Sequence, residues 1–150
     1  MNAHELLTDR KRAKLLEMAT SARERAYAPH SNDRVGAALL GQSGKIYTGC
    51  NVENAAYGAT ICAERTAVVK AVSEGELVFV AIAVVTANGG TPCGICRQVL
   101  AEFSPDMRVI VADAEGRIHM ECALADLLPA SFGPAALNPA HGSDGAARKG

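Results

Sequence analysis

The sequence predicts an α/β protein, a three-layer α/β/α sandwich around one mixed central sheet. Three observations carry that expectation. Residues 77–85 form the longest uninterrupted apolar run, too short to span a bilayer but suited to a strand buried on both faces. Helical and strand patterns alternate on either side of it. A chain of 150 residues, 49% hydrophobic and 21% charged, has the size and composition of one globular domain rather than two large ones.

The elements follow in order. Residues 6–27 carry Leu15, Leu16, Ala19, Ala22 and Ala26 at helical spacing between charged residues, and Pro29 closes that helix. Residues 35–40 and 45–52 read as two strands around the turn Gly41-Gln42-Ser43-Gly44. A loop over 53–60 leads to a helix that starts near Cys62 and stops at Gly75. The central strand, LVFVAIAVVT, ends at Asn88-Gly89-Gly90, and Pro92 is placed to open a helix over 93–103. Residues 108–112 predict a further strand, Asp113-Ala114-Glu115-Gly116 a turn, 117–121 a last strand and 123–128 a short helix. From Pro134 onward Pro, Gly, Ala, Ser and Asn dominate, so residues 1–137 are expected to form the domain and 138–150 a disordered tail.

Charge narrows the function. With 15 Lys and Arg against 16 Asp and Glu the net charge is −1, and aromatics make up 4%. Such a chain lacks the attraction to phosphate backbones and the stacking platforms that nucleic acid polymers or anionic membranes reward. A small ligand is the expected partner. The amino terminus has no continuous apolar core of the kind a secretory signal needs. Five cysteines, an odd number, suit a reducing compartment such as the cytoplasm better than a disulfide framework.

Three of those cysteines form a pattern. Cys62-Ala63-Glu64 opens one predicted helix and Pro92-Cys93-Gly94-Ile95-Cys96 opens another. Cysteines three apart at a helix start can aim both sulfurs at one ion, and helix N-termini favour their thiolate forms. With Cys62 they make three protein ligands, which leave zinc a fourth position for water, as in catalytic rather than closed structural sites. Glu64 then supplies a carboxylate beside that water. A noncatalytic zinc-stabilised module is the alternative, although no fourth ligand sits at finger spacing. Cys50 and Cys122 fall outside the pattern and read as small buried fillers. The histidines at 4, 30, 119 and 141 have no metal-binding spacing.

Cys-x-Glu followed by Pro-Cys-x-x-Cys is the signature of zinc-dependent nucleobase and nucleoside deaminases. From about Ala13 to Leu137 the chain resembles the small cytidine deaminases that act on the free nucleoside. The likeness includes Val35-Gly36-Ala37-Ala38-Leu39, Gly49-Cys50-Asn51-Val52-Glu53-Asn54-Ala55, residues 61–67, residues 92–100 and Leu127-Leu128-Pro129. It implies one Zn²⁺ per subunit on Cys62, Cys93 and Cys96, with Glu64 as proton carrier. Cytidine and deoxycytidine are then hydrolysed to uridine and deoxyuridine with release of ammonia, in pyrimidine salvage. It also implies that Asn51 and Glu53 bind the ribose 3′-hydroxyl and that the Ala63 backbone meets the pyrimidine edge. Arg65 hydrogen-bonds the ligand cysteines, a role Arg97 and Gln98 could share. By the same resemblance Phe132 would reach a neighbouring subunit's site in a homotetramer, with simple C-terminal packing as the alternative.

One segment departs from the family. Relatives usually read Pro-Tyr-Ser-x-Phe-x-Val-Gly-Ala where this chain has Pro29-His30-Ser31-Asn32-Asp33-Arg34-Val35-Gly36-Ala37. Asp33 therefore stands where the base-stacking phenylalanine is expected. Either Asp33 turns outward, or the pocket takes another aminated ring, such as a blasticidin S-type nucleoside antibiotic or another amino-heterocycle. Ile95, bulkier than the usual small residue, is expected either to narrow the pocket or to fill core.

Overall fold

The computed structural model describes residues 3–137, and the expected tail over 138–150 lies outside the described residues. Its elements are α1 (Ala3–Leu6), α2 (Asp9–Arg23), β1 (Gly36–Gly41), β2 (Ile46–Cys50), α3 (Ala63–Ser73), β3 (Phe79–Thr86), α4 (Gly94–Phe103), β4 (Arg108–Asp113), β5 (Ile118–Ala123), α5 (Leu124–Leu127) and α6 (Pro134–Leu137). Their order in the sheet is β2-β1-β3-β4-β5. Only the β3–β4 pairing is parallel, so the sheet is mixed. Every residue of β3 is buried, as expected of a strand with a neighbour on each side and a covered layer on each face.

Strand alternation sorts the core into two layers. Ala37, Leu39, Ile82, Val84, Val109 and Val111 face a cluster completed by Ala63, Ala67, Val68, Leu100 and Leu124, from α3, α4 and α5. Ala38, Leu40, Ala83, Val85, Ile110 and Ala112 face the other way, onto Leu15 and Ala19 of α2. The three-layer architecture thus follows from period-2 strands meeting helices on both faces. On the α3 side, β2 runs so close to the helix that a Cβ on Gly49 would stand 2.5 Å from the Ala63 carbonyl oxygen. Only glycine permits that approach.

Several boundaries differ from the sequence expectation. The first helix is split at Thr8, whose hydroxyl accepts from the Lys11 amide at 3.2 Å and caps α2. At its other end, the chain leaves the helix because Tyr27 pairs with the far segment, its amide donating to the Asn51 carbonyl. The β2 ladder ends at Cys50 rather than 52, where Val52 instead bridges Tyr27 and Ile61. A short helix, α6, occupies Pro134–Leu137, where composition alone predicted fraying. Cys50 and Cys122 are half-buried on the two edge strands, not core fillers, because an edge strand is only partly covered. Among the described residues no helix is long and apolar enough to cross a membrane.

Candidate metal centre and adjoining cavity

Two helix starts meet at the carboxyl end of the central strand. Cys62 is the N-cap residue of α3 and Cys93 the N-cap residue of α4, both extended, with Cys96 one turn into α4. Neither helix start has a side-chain cap. The three Sγ atoms lie within 4.8 Å of one another, Cys62 to Cys93 at 3.8 Å and Cys93 to Cys96 at 3.4 Å. A tetrahedron whose vertices stand about 2.3 Å from a central zinc has edges of about 3.8 Å. The sulfur spacings lie near those edges, so the three residues fit a zinc ion, and they are far from a disulfide bond.

The thiols already behave as a polarised set. The hydrogen bond from Cys96, helped by Arg65 and Cys93, pulls the Cys62 thiol down to about 5. Cys96, as the donor and fully buried, is pushed up. Arg65 donates to Cys62 Sγ at 3.5 Å and to the Thr60 carbonyl at 3.3 Å, while its Nε is buried without a partner. Arg65, expected from the resemblance to bond the ligand cysteines, stands beside Cys62. Gln98 and Arg97 are engaged elsewhere. Gln98 donates to the Phe132 carbonyl at 2.8 Å, and Arg97 staples Pro92, Leu127 and Thr91 together.

Beside the sulfurs opens a cavity of about 290 Å³. Cys62, Ala63, Glu64 and Cys93 line it on the helix side; Ser31, Asp33, Val35, Asn51, Glu53 and Thr60 line it opposite. Val84 and Thr86 from β3, with Asn88, Gly90 and Thr91, complete it. Glu64 is only 4% exposed, and that burial pushes its carboxyl up, with the negative Cys62 adding to the effect. Ala63 lines the cavity and is fully buried.

Asn51 and Glu53 do share the cavity, and both are engaged with the departing segment. Asn51 Oδ1 accepts from the Val35 amide at 2.9 Å and Nδ2 donates to the Asp33 carbonyl at 2.7 Å. Glu53 Oε1 accepts from the amides of His30 at 2.9 Å and Ser31 at 3.1 Å. The Ser31 hydroxyl, with those two amides, holds the Glu53 carboxyl below its usual range. The two residues thus lock residues 30–35 as one wall. The exposed Asp33 lines the cavity through that wall; His30 instead packs edge-on against Tyr57, ring centroids 5.8 Å apart.

Phe132 is 60% exposed and does not line this cavity. Ile95 neither narrows it nor fills core: at 62% exposure it points outward, because Cys93 and Cys96 take the inward face of that turn. Ser31, Thr86, Asn88 and Thr91 line the cavity without having been singled out from sequence. The available signal was position, since ligands of α/β sheets gather beyond the carboxyl ends of strands.

Known proteins share this arrangement. The profile of the cytidine and deoxycytidylate deaminase zinc-binding region matches residues 9–113. A cytidine deaminase of Sporosarcina psychrophila is 52% identical over 122 residues, covering 79% of this chain and 89% of that protein. One from Halalkalibacterium halodurans is 50% identical, covering 81% and 93%. The crystal structure of a cytidine deaminase from Burkholderia pseudomallei, 45% identical, superposes with a TM-score of 0.78 over 84% of this chain and all of that one.

Proposed function

The chain belongs to the zinc-binding cytidine and deoxycytidylate deaminase family, and from that premise we propose that it hydrolyses free cytidine and deoxycytidine to uridine and deoxyuridine, releasing ammonia. The observation that carries the reading is the buried Glu64 carboxyl at the floor of a nucleoside-sized cavity, next to the sulfur triangle. Cys62, Cys93 and Cys96 would hold the zinc. When bound, the ion supplies Lewis-acid activation of water at neutral pH. Glu64 takes one proton from the attacking water and delivers it to ring N3, then takes the second from the hydroxyl added at C4 and passes it to the departing amino group, which leaves as ammonia while the carbonyl forms.

The remaining walls orient the substrate. In this reading Asn51 and Glu53, which line the cavity, exchange their bonds with residues 30–35 for bonds to the ribose 3′-hydroxyl, Asn as donor and acceptor, Glu as acceptor. Ala63 offers its backbone to the pyrimidine edge. Arg65 draws charge from the sulfurs, countering the −1 that three thiolates leave on a dication. Among the described residues, the cavity lining includes Asp33, Glu53 and Glu64 but no Lys, Arg or His. A nucleotide phosphate would find no cationic side chain in that lining and would face the Asp33 and Glu53 carboxylates, which supports the nucleoside over the nucleotide as substrate.

Asp33 supports a second reading. Its carboxylate has no hydrogen bond or ion pair among the described residues, so an aminated ring carrying a cationic arm, as in blasticidin S-type antibiotics, would find a partner. The resemblance would have Phe132 enter a neighbouring subunit's site in a homotetramer, and its exposure on the segment that Gln98 holds supports that reading. The unpaired cysteines fit a cytoplasmic enzyme of pyrimidine salvage.

Ammonia release by zinc-quantified protein, offered cytidine, deoxycytidine, cytidine monophosphate, cytosine and blasticidin S in parallel, tests the substrate. Turnover of the two nucleosides and rejection of the monophosphate is the expected result. Turnover of blasticidin S alone would transfer the assignment to the second reading. Sedimentation equilibrium checks the tetramer.

A further inference from the structure

Between the end of β3 and Cys93 the chain crosses the rim of the cavity, and Asn88, Gly90 and Thr91 form part of its wall. Two grips hold this crossing, and both start from one rung of the sheet, where Thr86 of β3 pairs with Asp113 of β4. From Thr86, Oγ1 accepts from the Gly90 amide at 2.7 Å. From Asp113, Oδ2 lies 2.8 Å from Nε2 of His119 on β5, and Oδ1 is tied at 3.0 Å to the amides of both Glu115 and Arg117. The carboxylate is thus anchored in the β4–β5 turn and the imidazole is anchored to the carboxylate. The imidazole in turn lies against Gly89. A Cβ there would stand 2.5 Å from His119 Cδ2 and 2.6 Å from its Cγ, and the residue has φ +77°. Position 89 therefore accepts glycine for two separate reasons, contact and backbone.

We propose that His119, oriented by Asp113, is a positioning residue for substrate binding: its ring seats Gly89 and thereby sets the Asn88–Gly90–Thr91 wall of the cavity. His119 touches neither the sulfurs nor the cavity, so its influence passes through Gly89. The inference rests on the assignment of this cavity to the substrate. A wall that contacts substrate before and during reaction acts on ground and transition states alike, so its displacement raises KM more than it lowers kcat.

The test uses the zinc-loaded enzyme. His119→Ala is expected to raise the KM for cytidine about tenfold, with kcat changed by less than about twofold and zinc content unchanged. His119→Phe, which restores a ring against Gly89, should recover most of the loss. Gly89→Ala should be worse alone than in the His119→Ala background, where the clashing ring atoms are gone. Hydrogen exchange at the Gly90 amide should follow the same non-additive order. An unchanged KM in His119→Ala, or strictly additive effects of the two substitutions, overturns the proposal. Should the wild-type protein fail to deaminate cytidine, the substrate assignment falls, while the buttress is still judged by Gly90 exchange, which needs no turnover.

Discussion

Cys62 and Glu64 stand two residues apart on one helix start, yet they meet opposite environments. Cys62 shares a hydrogen-bonded sulfur cluster with an arginine beside it, which favours its thiolate. Glu64 is enclosed, which favours its neutral form and poises it to hold a proton. Glu64→Gln keeps shape but cannot carry that proton, so kcat should fall by about 10²–10⁴ with zinc content intact, read by turnover and metal analysis on one sample. Arg65→Gln removes the cation from Cys62 while leaving the ligands in place. Zinc affinity should drop about 10–100-fold, measured by competition with a chromophoric chelator. Asn51 is buried with two good bonds to residues 33–35, so Asn51→Ala should cost about 1–3 kcal/mol in urea unfolding besides its effect on ribose binding.

At the scale of elements, the β4–β5 hairpin supplies a pH signature. His119, with the amides of Arg117 and Glu115, holds Asp113 below the usual carboxylate range. The folded state therefore binds this proton less readily than the unfolded chain. Its contribution is fully present above about pH 4, the unfolded carboxylate's range, and fades as pH falls through the lower folded value. Asp113→Asn should flatten the acid limb of the stability profile and leave the curve above pH 7 offset but parallel, in thermal melts across pH. Helix boundaries illustrate what periodicity omits. Leu15 and Ala19 are buried as their spacing predicts, but the break at Thr8 comes from a side-chain cap that competes with helix continuity. Likewise β2 stops early because the main chain beyond it pairs elsewhere, Val52 bridging Tyr27 and Ile61, partners no local pattern contains.

For the whole molecule, the metal centre joins the starts of α3 and α4, which otherwise meet through packing alone. A ligand that binds only the folded state adds stability that grows with the logarithm of its free concentration. Chelation should thus lower Tm progressively as free zinc falls, and readdition should restore it, as seen by scanning calorimetry. Composition, the apolar run and the motif Cys-x-Glu with Pro-Cys-x-x-Cys were enough to determine the architecture, the zinc ligand set and the proton carrier as expectations. Each depends on local spacing or on residue chemistry, which a linear sequence displays directly. What only the tertiary structure decided was where distant segments meet: Glu53 on residues 30 and 31, Gln98 on Phe132 rather than on the sulfurs, Ile95 outward, and His119 on Gly89. Those contacts join residues far apart in the chain through the register of the sheet and the packing of helix on strand, and no short-range pattern encodes that register.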